Sequence, residues 1–222
     1  MKKISIAIDG PSASGKSSIA KIVAKKLNYV YIDTGAMYRS VGYYCLKNNI
    51  DLKNELAVSE ALKNIDITMD NNNIIYLNGC DVSNEIRTDQ VSMSASEVSK
   101  YQKVREFLVE QQRQMANVGG VILDGRDIGT VVLPNAELKI YQCASAETRA
   151  KRRYLENQQR GLVCDFEKIK KEIEERDYQD MNRKISPLKK ADDAILLDTS
   201  NLNIDEVVEE VLKLVERTIK EE

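Results

Sequence analysis

Short apolar runs alternate along this chain with stretches of helical period. Lys3-Ile4-Ser5-Ile6-Ala7-Ile8 reads as a buried strand, and residues 17–27 put Ile19, Ile22, Val23 and Leu27 on one helical face. Tyr29-Val30-Tyr31-Ile32 is a second strand, followed by a helix carrying Met37, Tyr38, Arg39, Val41 and Tyr44. A polar break at 48–54 and a helical stretch at 59–63 come next, and then the period changes. Ile65, Ile67 and Met69 alternate, Asn71-Asn72-Asn73 predicts a turn, and Ile74 to Leu77 is a second run. Asn78-Gly79 is a hairpin signal before a third run, Cys80 to Val82. These runs predict a small antiparallel meander inserted in a βα chain. One long helix is predicted over 94–115, ended by Gly119-Gly120. Core strands follow at 121–124, 138–142 and 194–197, with charged helices at 147–159 and 166–182 between them, separated by Gly161-Leu162-Val163. The last helix carries a stripe of Val207, Val208, Val211, Leu212, Leu214 and Val215, behind Asn203 and Glu206 spaced as a capping box. Strands alternating with helices predict an α/β fold built on a mostly parallel five-stranded sheet.

The first strand runs straight into Gly10-Pro11-Ser12-Ala13-Ser14-Gly15-Lys16-Ser17, which fits the P-loop pattern G-x-x-x-x-G-K-[ST]. Gly10 and Gly15 allow tight turns and a close approach of backbone to ligand. The loop N–H groups and the helix N-terminus then face a phosphate. Lys16 supplies a point charge near the β- and γ-phosphates of a nucleoside triphosphate, and Ser17 a hydroxyl for Mg²⁺. Val121-Ile122-Leu123-Asp124 has the form of a Walker B strand, with Asp124 placed to hold Mg²⁺ directly or through water. Arg126 and Asp127 follow at once. Thr34 and Arg39 fall at or near a helix start, at the carboxyl end of a strand, the edge where open α/β sheets bind ligands. Arg176, Asp180 and Arg183 are spaced i, i+4, i+7 on one helical face, which fits a site and fits intrahelical ion pairs as well.

Composition narrows the chemistry. The chain has 222 residues, enough for one domain with small inserts, and a net charge of −2, so no global basic field is available to hold nucleic acid. It has no His, which removes the commonest general base and any Cys/His zinc site. Cys45, Cys80, Cys143 and Cys164 form no C-x-x-C pair, so zinc is not expected and a reduced, cytoplasmic setting is. Met1-Lys2-Lys3 leads into a short strand and not into a signal h-region, and no apolar run reaches membrane-spanning length. A regulatory GTPase switch would carry an N-K-x-D guanine motif; the chain has only Asn182-Arg183-Lys184-Ile185.

Taken as a set, the P-loop, Asp33-Thr34-Gly35-Ala36-Met37-Tyr38-Arg39, Asp124-Gly125-Arg126-Asp127-Ile128-Gly129-Thr130 and Glu175-Arg176-Asp177-Tyr178-Gln179-Asp180-Met181-Asn182-Arg183 occur in an order that resembles the bacterial cytidylate (CMP/dCMP) kinases. The resemblance covers essentially the whole chain, including the meander. It implies a P-loop NTPase-type fold with a core at residues 1–37, 106–149 and 184–222, a monophosphate-binding part with the insert at 38–105, and a helical lid at 150–183. It implies transfer of the γ-phosphoryl group from ATP to CMP or dCMP with Mg²⁺. Nothing in the sequence points to an obligate oligomer, so a monomer acting on small molecules is expected, and the charge and the short apolar runs predict no nucleic-acid or membrane partner. Lys16, Arg126 and Arg183 would be catalytic. ATP would lie on Gly10, Pro11, Ser12, Ala13, Ser14, Gly15, Lys16, Ser17 and Ser18, with lid arginines Arg149, Arg152 and, above all, Arg153 approaching it. Arg39, Arg126 and Arg183 would hold the acceptor phosphate, and Ser96, Arg105 and Asp127 would read cytosine. Arg176 and Asp180 would meet the ribose, with Tyr38 and Thr34 nearby. Ser17-Ser18 stands where some family members read Gly-Thr, so either hydroxyl is available to Mg²⁺. A uridylate/cytidylate or shikimate-type P-loop kinase is the alternative, and a nucleotide panel separates them.

Overall fold

In the computed structural model, which describes residues 3–70, 72–117, 119–159 and 161–221, the elements run β1 (Ser5–Asp9), α1 (Lys16–Leu27), β2 (Val30–Asp33), α2 (Thr34–Lys47), α3 (Glu55–Ala61), β3 (Ile67–Met69), β4 (Ile75–Leu77), β5 (Cys80–Asp81), α4 (Asp89–Val98), α5 (Gln102–Ala116), β6 (Val121–Gly125), β7 (Leu138–Cys143), α6 (Ala146–Gln159), α7 (Phe166–Asn182), β8 (Ile195–Asp198) and α8 (Ile204–Glu221). A five-stranded sheet has the order β2-β6-β1-β7-β8, and β3-β4-β5 make a separate three-stranded sheet. The chain divides into two units, Met1–Tyr29 with Gly119–Glu222, and Val30–Val118.

In the first unit, β1 is central because its side chains are apolar on both faces: Ile6, Ala7 and Ile8 are fully buried. Parallel pairing sets Ile8 opposite Asp124 and Asp9 opposite Gly125 on one side, and Asp9 opposite Tyr141 on the other. The P-loop and the Asp124-Gly125-Arg126-Asp127 segment therefore leave the sheet side by side at its carboxyl edge. The predicted fifth strand of the sheet is present and lies at its edge. Among the described residues β8 pairs with β7 alone, and Ile195 and Leu196 are 40% and 59% exposed, as suits an edge strand. α8 starts on the predicted capping box, with Asn203 N–H donating to Glu206 and Glu206 N–H to Asn203, and buries Val207, Val208, Val211 and Val215. α6 and α7 pack on each other around Ala150, Ile169 and Ile173, with Tyr154 edge-on to Phe166 at 6.1 Å.

In the second unit, α2 and α4 approach closely because of a glycine. A Cβ on Gly42 would sit 2.2 Å from Ser94 Oγ and 3.0 Å from the Ala95 nitrogen. The predicted meander is present, with Asn78 and Gly79 both at positive φ in the β4–β5 hairpin, as a type I′ turn requires. Of the predicted turn at 71–73, Asn71 lies outside the described residues; Asn73 is left-handed, at φ 62°. The single helix predicted over 94–115 is in fact two. α4 ends at Val98, and Tyr101 adopts extended backbone (ψ 129°) before α5. Two polar contacts override the helical period here. Ser99 Oγ turns back onto the Ser96 carbonyl, and the Tyr101 hydroxyl donates to the Leu52 carbonyl. No helix among the described residues is long and apolar enough to cross a membrane.

Candidate active site

The P-loop takes its shape from three residues at positive φ: Gly10 (150°), Ala13 (57°) and Gly15 (87°). Gly10 is forced by contact as well as by angle, since a Cβ there would lie 1.9 Å from the Gln142 carbonyl oxygen on β7. Gln142 also donates its side-chain amide to the Ser14 carbonyl at 2.6 Å. Gly15 occupies the N-cap of α1 and no side chain caps that helix, so its first N–H groups are left for a ligand. Lys16 is buried, its Nζ donating to the Pro11 carbonyl at 2.7 Å and to Ser14 Oγ at 3.2 Å. Burial and the neighbouring Arg126 charge push its pKa down, partly offset by Asp124, Asp9 and Asp177. An anionic phosphate beside it would reverse that tendency.

Ser17 Oγ donates to Asp124 Oδ2 at 2.7 Å, so the two expected Mg²⁺ donors stand together, whereas Ser18 is exposed. A hydroxyl and a carboxylate are the hard oxygen donors that Mg²⁺ prefers. Beyond Asp124, the arginines are held by acids. Arg126 Nε donates to Asp180 Oδ2 at 2.8 Å, Arg183 Nη2 lies 3.5 Å from Asp127, and Arg183 Nη1 lies 3.8 Å from Asp180. Arg183 is the C-cap of α7 with extended backbone, just past the helical face predicted for it, and its Nε is fixed on the Ser186 carbonyl. Burial opposes the charged form of Asp180, but the Arg126 and Arg176 charges outweigh it and lower its pKa.

The second unit carries Thr34, Tyr38, Arg39, Ser96 and Arg105. Asp33 caps α2 by accepting from the Ala36 N–H, and its other oxygen takes Arg39 Nη2 at 3.0 Å. Gly35 leaves room for that guanidinium, since a Cβ there would be 3.1 Å from it. Arg39 Nε is buried and has no hydrogen-bond partner among the described residues. Buried Arg105 stacks over the Tyr38 ring at 5.5 Å and donates to the Ser99 carbonyl, a contact made at the break between α4 and α5.

Several residues that matter were not foreseen. Asp9, just before the P-loop, accepts from the Ile128 and Gly129 N–H groups at 2.8 Å each, tying the loop to the segment after Asp127. Burial pushes its pKa up to about 6 despite those two donors. The signal was an acid ending an apolar strand. Among the helical arginines, Arg149 reaches the Ser12 carbonyl and Arg152 the Ser14 carbonyl, whereas Arg153 lies 4.0 Å from Glu156 on its own helix. Asp177 accepts from the Ser12 N–H. It sits inside a recognised motif, but nothing in the spacing assigns it to the P-loop.

A loop of P-loop form on a parallel sheet, with a Walker B acid one strand away, defines a P-loop NTPase-type fold, and solved structures share it. A shikimate kinase from Bacteroides thetaiotaomicron superposes with a TM-score of 0.50 at 11% identity over 96% of this chain and 98% of that one. An uncharacterised protein from Eubacterium ventriosum gives 0.54 at 14% identity over 96% and 99%. Sequence comparison is more specific. The cytidylate kinase family profile matches residues 6–217. Cytidylate kinases from Bacillus cereus and Bacillus thuringiensis are 52% identical to it over 217 residues, 96% of each chain. The chain belongs to the cytidylate kinase family.

Proposed function

We infer that this chain transfers the γ-phosphoryl group of ATP to CMP or dCMP, giving ADP and CDP or dCDP. Membership of the cytidylate kinase family over nearly the full chain is the observation that carries this reading. In it, the P-loop residues Gly10 to Ser18 cradle the ATP phosphates, and Lys16 bridges them. Ser17 and Asp124 would hold Mg²⁺, which would supply charge neutralisation to the ATP phosphates. The acceptor is a phosphate oxygen, already anionic near neutral pH, so a chain without His lacks nothing the reaction needs. Arg126, Arg183 and Arg39 hold the acceptor phosphate, and the unsatisfied Nε of Arg39 is a donor in want of such a partner. Arg176 and Asp180 meet the ribose, and Thr34 and Tyr38 are assigned to the same substrate. Residues 150–183 act as the lid that excludes water, and bring Arg152 or Arg153 to ATP. The enzyme works as a cytoplasmic monomer on small molecules.

Ser96, Arg105 and Asp127 read the base. Cytosine presents N4–H₂ as a donor, and N3 and O2 as acceptors. Asp127 can only accept when ionised, and Arg105 can only donate. Uracil sets an acceptor against Asp127 and a protonated N3 against Arg105, leaving buried groups unpaired at about 1–3 kcal/mol each. Asp127→Ala should therefore lower kcat/KM for CMP and narrow the CMP/UMP ratio by about tenfold or more. The measurement is coupled ADP release with each monophosphate. An unchanged ratio would remove Asp127 from base recognition.

A further inference from the structure

The Ser12 peptide of the P-loop is gripped from both ends by the helices that follow the core. Its N–H donates to Asp177 Oδ1 on α7 at 3.0 Å, and its carbonyl accepts from Arg149 Nη1 on α6 at 3.0 Å. The same Arg149 nitrogen donates to Asp177 Oδ2 at 2.5 Å, and Arg149 Nε donates to the Ala144 carbonyl at the end of β7. Ser12, Arg149 and Asp177 are all buried. An ion pair taken out of water is weak support for stability, because desolvation consumes most of the attraction. Its value here lies in what it fixes. The next residue, Ala13, holds a left-handed backbone without being glycine, a conformation that persists only where its surroundings over-determine it. Ala13 also packs against the Ala150, Ile169 and Ile173 cluster of α6 and α7.

One turn further along α7, Asp180 binds Arg126 at 2.8 Å and lies 3.8 Å from Arg183. A single helical turn thus bonds the P-loop through Asp177 and the two arginines through Asp180. We propose that Asp177, with Arg149, is a positioning residue that sets the P-loop in register with Arg126 and Arg183, aligning the ATP γ-phosphate with the acceptor phosphate. The inference rests on the acceptor role given above to those arginines. Neither residue need touch a substrate. Their effect passes through the Ser12 backbone and the turn of α7, and misplacement of reacting groups by about 1 Å can cost about 100-fold in rate.

The test is steady-state kinetics of Asp177→Asn, Asp177→Glu, Arg149→Lys and Arg183→Ala, with rates expressed per folded enzyme from thermal unfolding in the same buffer. Asp177→Asn should lower kcat at saturating ATP–Mg²⁺ and CMP by about 10- to 100-fold. Asp177→Glu, which keeps the carboxylate, should recover part of that loss, and Arg149→Lys should lie between. A clamp that is only structural would lower Tm and leave kcat of the folded fraction unchanged, which would overturn the proposal. So would a rise in KM for ATP with kcat unchanged, which would confine the clamp to ATP binding. If Asp177→Asn does not fold, Asp177→Glu and Arg149→Lys decide on the same criterion. Arg183→Ala separates the two readings. Full turnover in that variant would remove the acceptor assignment itself, whatever Asp177 does.

Discussion

Lys16→Met should reduce kcat/KM by at least about 100- to 1,000-fold while leaving the fold intact. The first half follows from placement. The ammonium is the one cation inside the P-loop, and charge stabilisation of that kind in a desolvated site is worth about 2.7–4 kcal/mol per donor removed. The second half follows from electrostatics. Burial and the Arg126 charge push the Lys16 pKa down, so the folded protein holds this ammonium at a cost. Methionine keeps the stem's volume and removes the charge, so Tm should stay within a few degrees or rise. Coupled ADP release and thermal unfolding of one preparation check both halves. Activity within threefold of the parent would deny Lys16 its role, and a collapse in Tm would make it structural.

Gly10→Ala should be the most damaging small substitution at the site. The added methyl would lie 1.9 Å from the Gln142 carbonyl oxygen, and β7 is held by strands on both sides, so that backbone cannot yield. The φ of 150° adds a second cost. Overpacking and an unfavourable backbone region cost about 1–3 kcal/mol each. Together they threaten a total stability of about 5–15 kcal/mol. Tm should fall by about 10 °C or more. Gly79→Ala is the control. Gly79 also has positive φ, but a Cβ there meets nothing within 4 Å, so it should lose only the backbone part. Equal losses at both positions would mean that the Gln142 contact is relieved without cost.

How far the sequence could be read depended on the range of the signal. β1, α1, α2 and the charged helix over 166–182 were legible because short-range periodicity and a motif pointed to the same elements. The break between α4 and α5 was not. The apolar period runs on through residues 94–115, and what stops the helix is a hydroxyl on its own backbone and a tyrosine bonded 49 residues away at Leu52. That break is also what gives Arg105 the Ser99 carbonyl. The apolar run at 194–197 is the fifth strand of the sheet, as its pattern predicts, but its edge position, which leaves Ile195 and Leu196 exposed, is set by the strand order and not by any local pattern. Within the site, Lys16, Ser17 and Asp124 were readable from spacing. The acids that hold the arginines, Asp180 and Asp127, belong to quoted motifs, but their partners are 54 and 56 residues distant. Asp177 and Arg149 reach the P-loop from 165 and 137 residues away, beyond any local rule.

The most direct test of the account is ADP release from ATP–Mg²⁺ with CMP, dCMP, UMP, AMP and GMP supplied singly to the unmodified protein. The account predicts strong turnover with CMP and dCMP, UMP poorer by about tenfold or more, and little with the purine nucleotides. Equal kcat/KM for UMP and CMP would contradict the base-reading assignment. Turnover with no monophosphate would contradict the kinase reading itself and leave only a nucleoside triphosphate site.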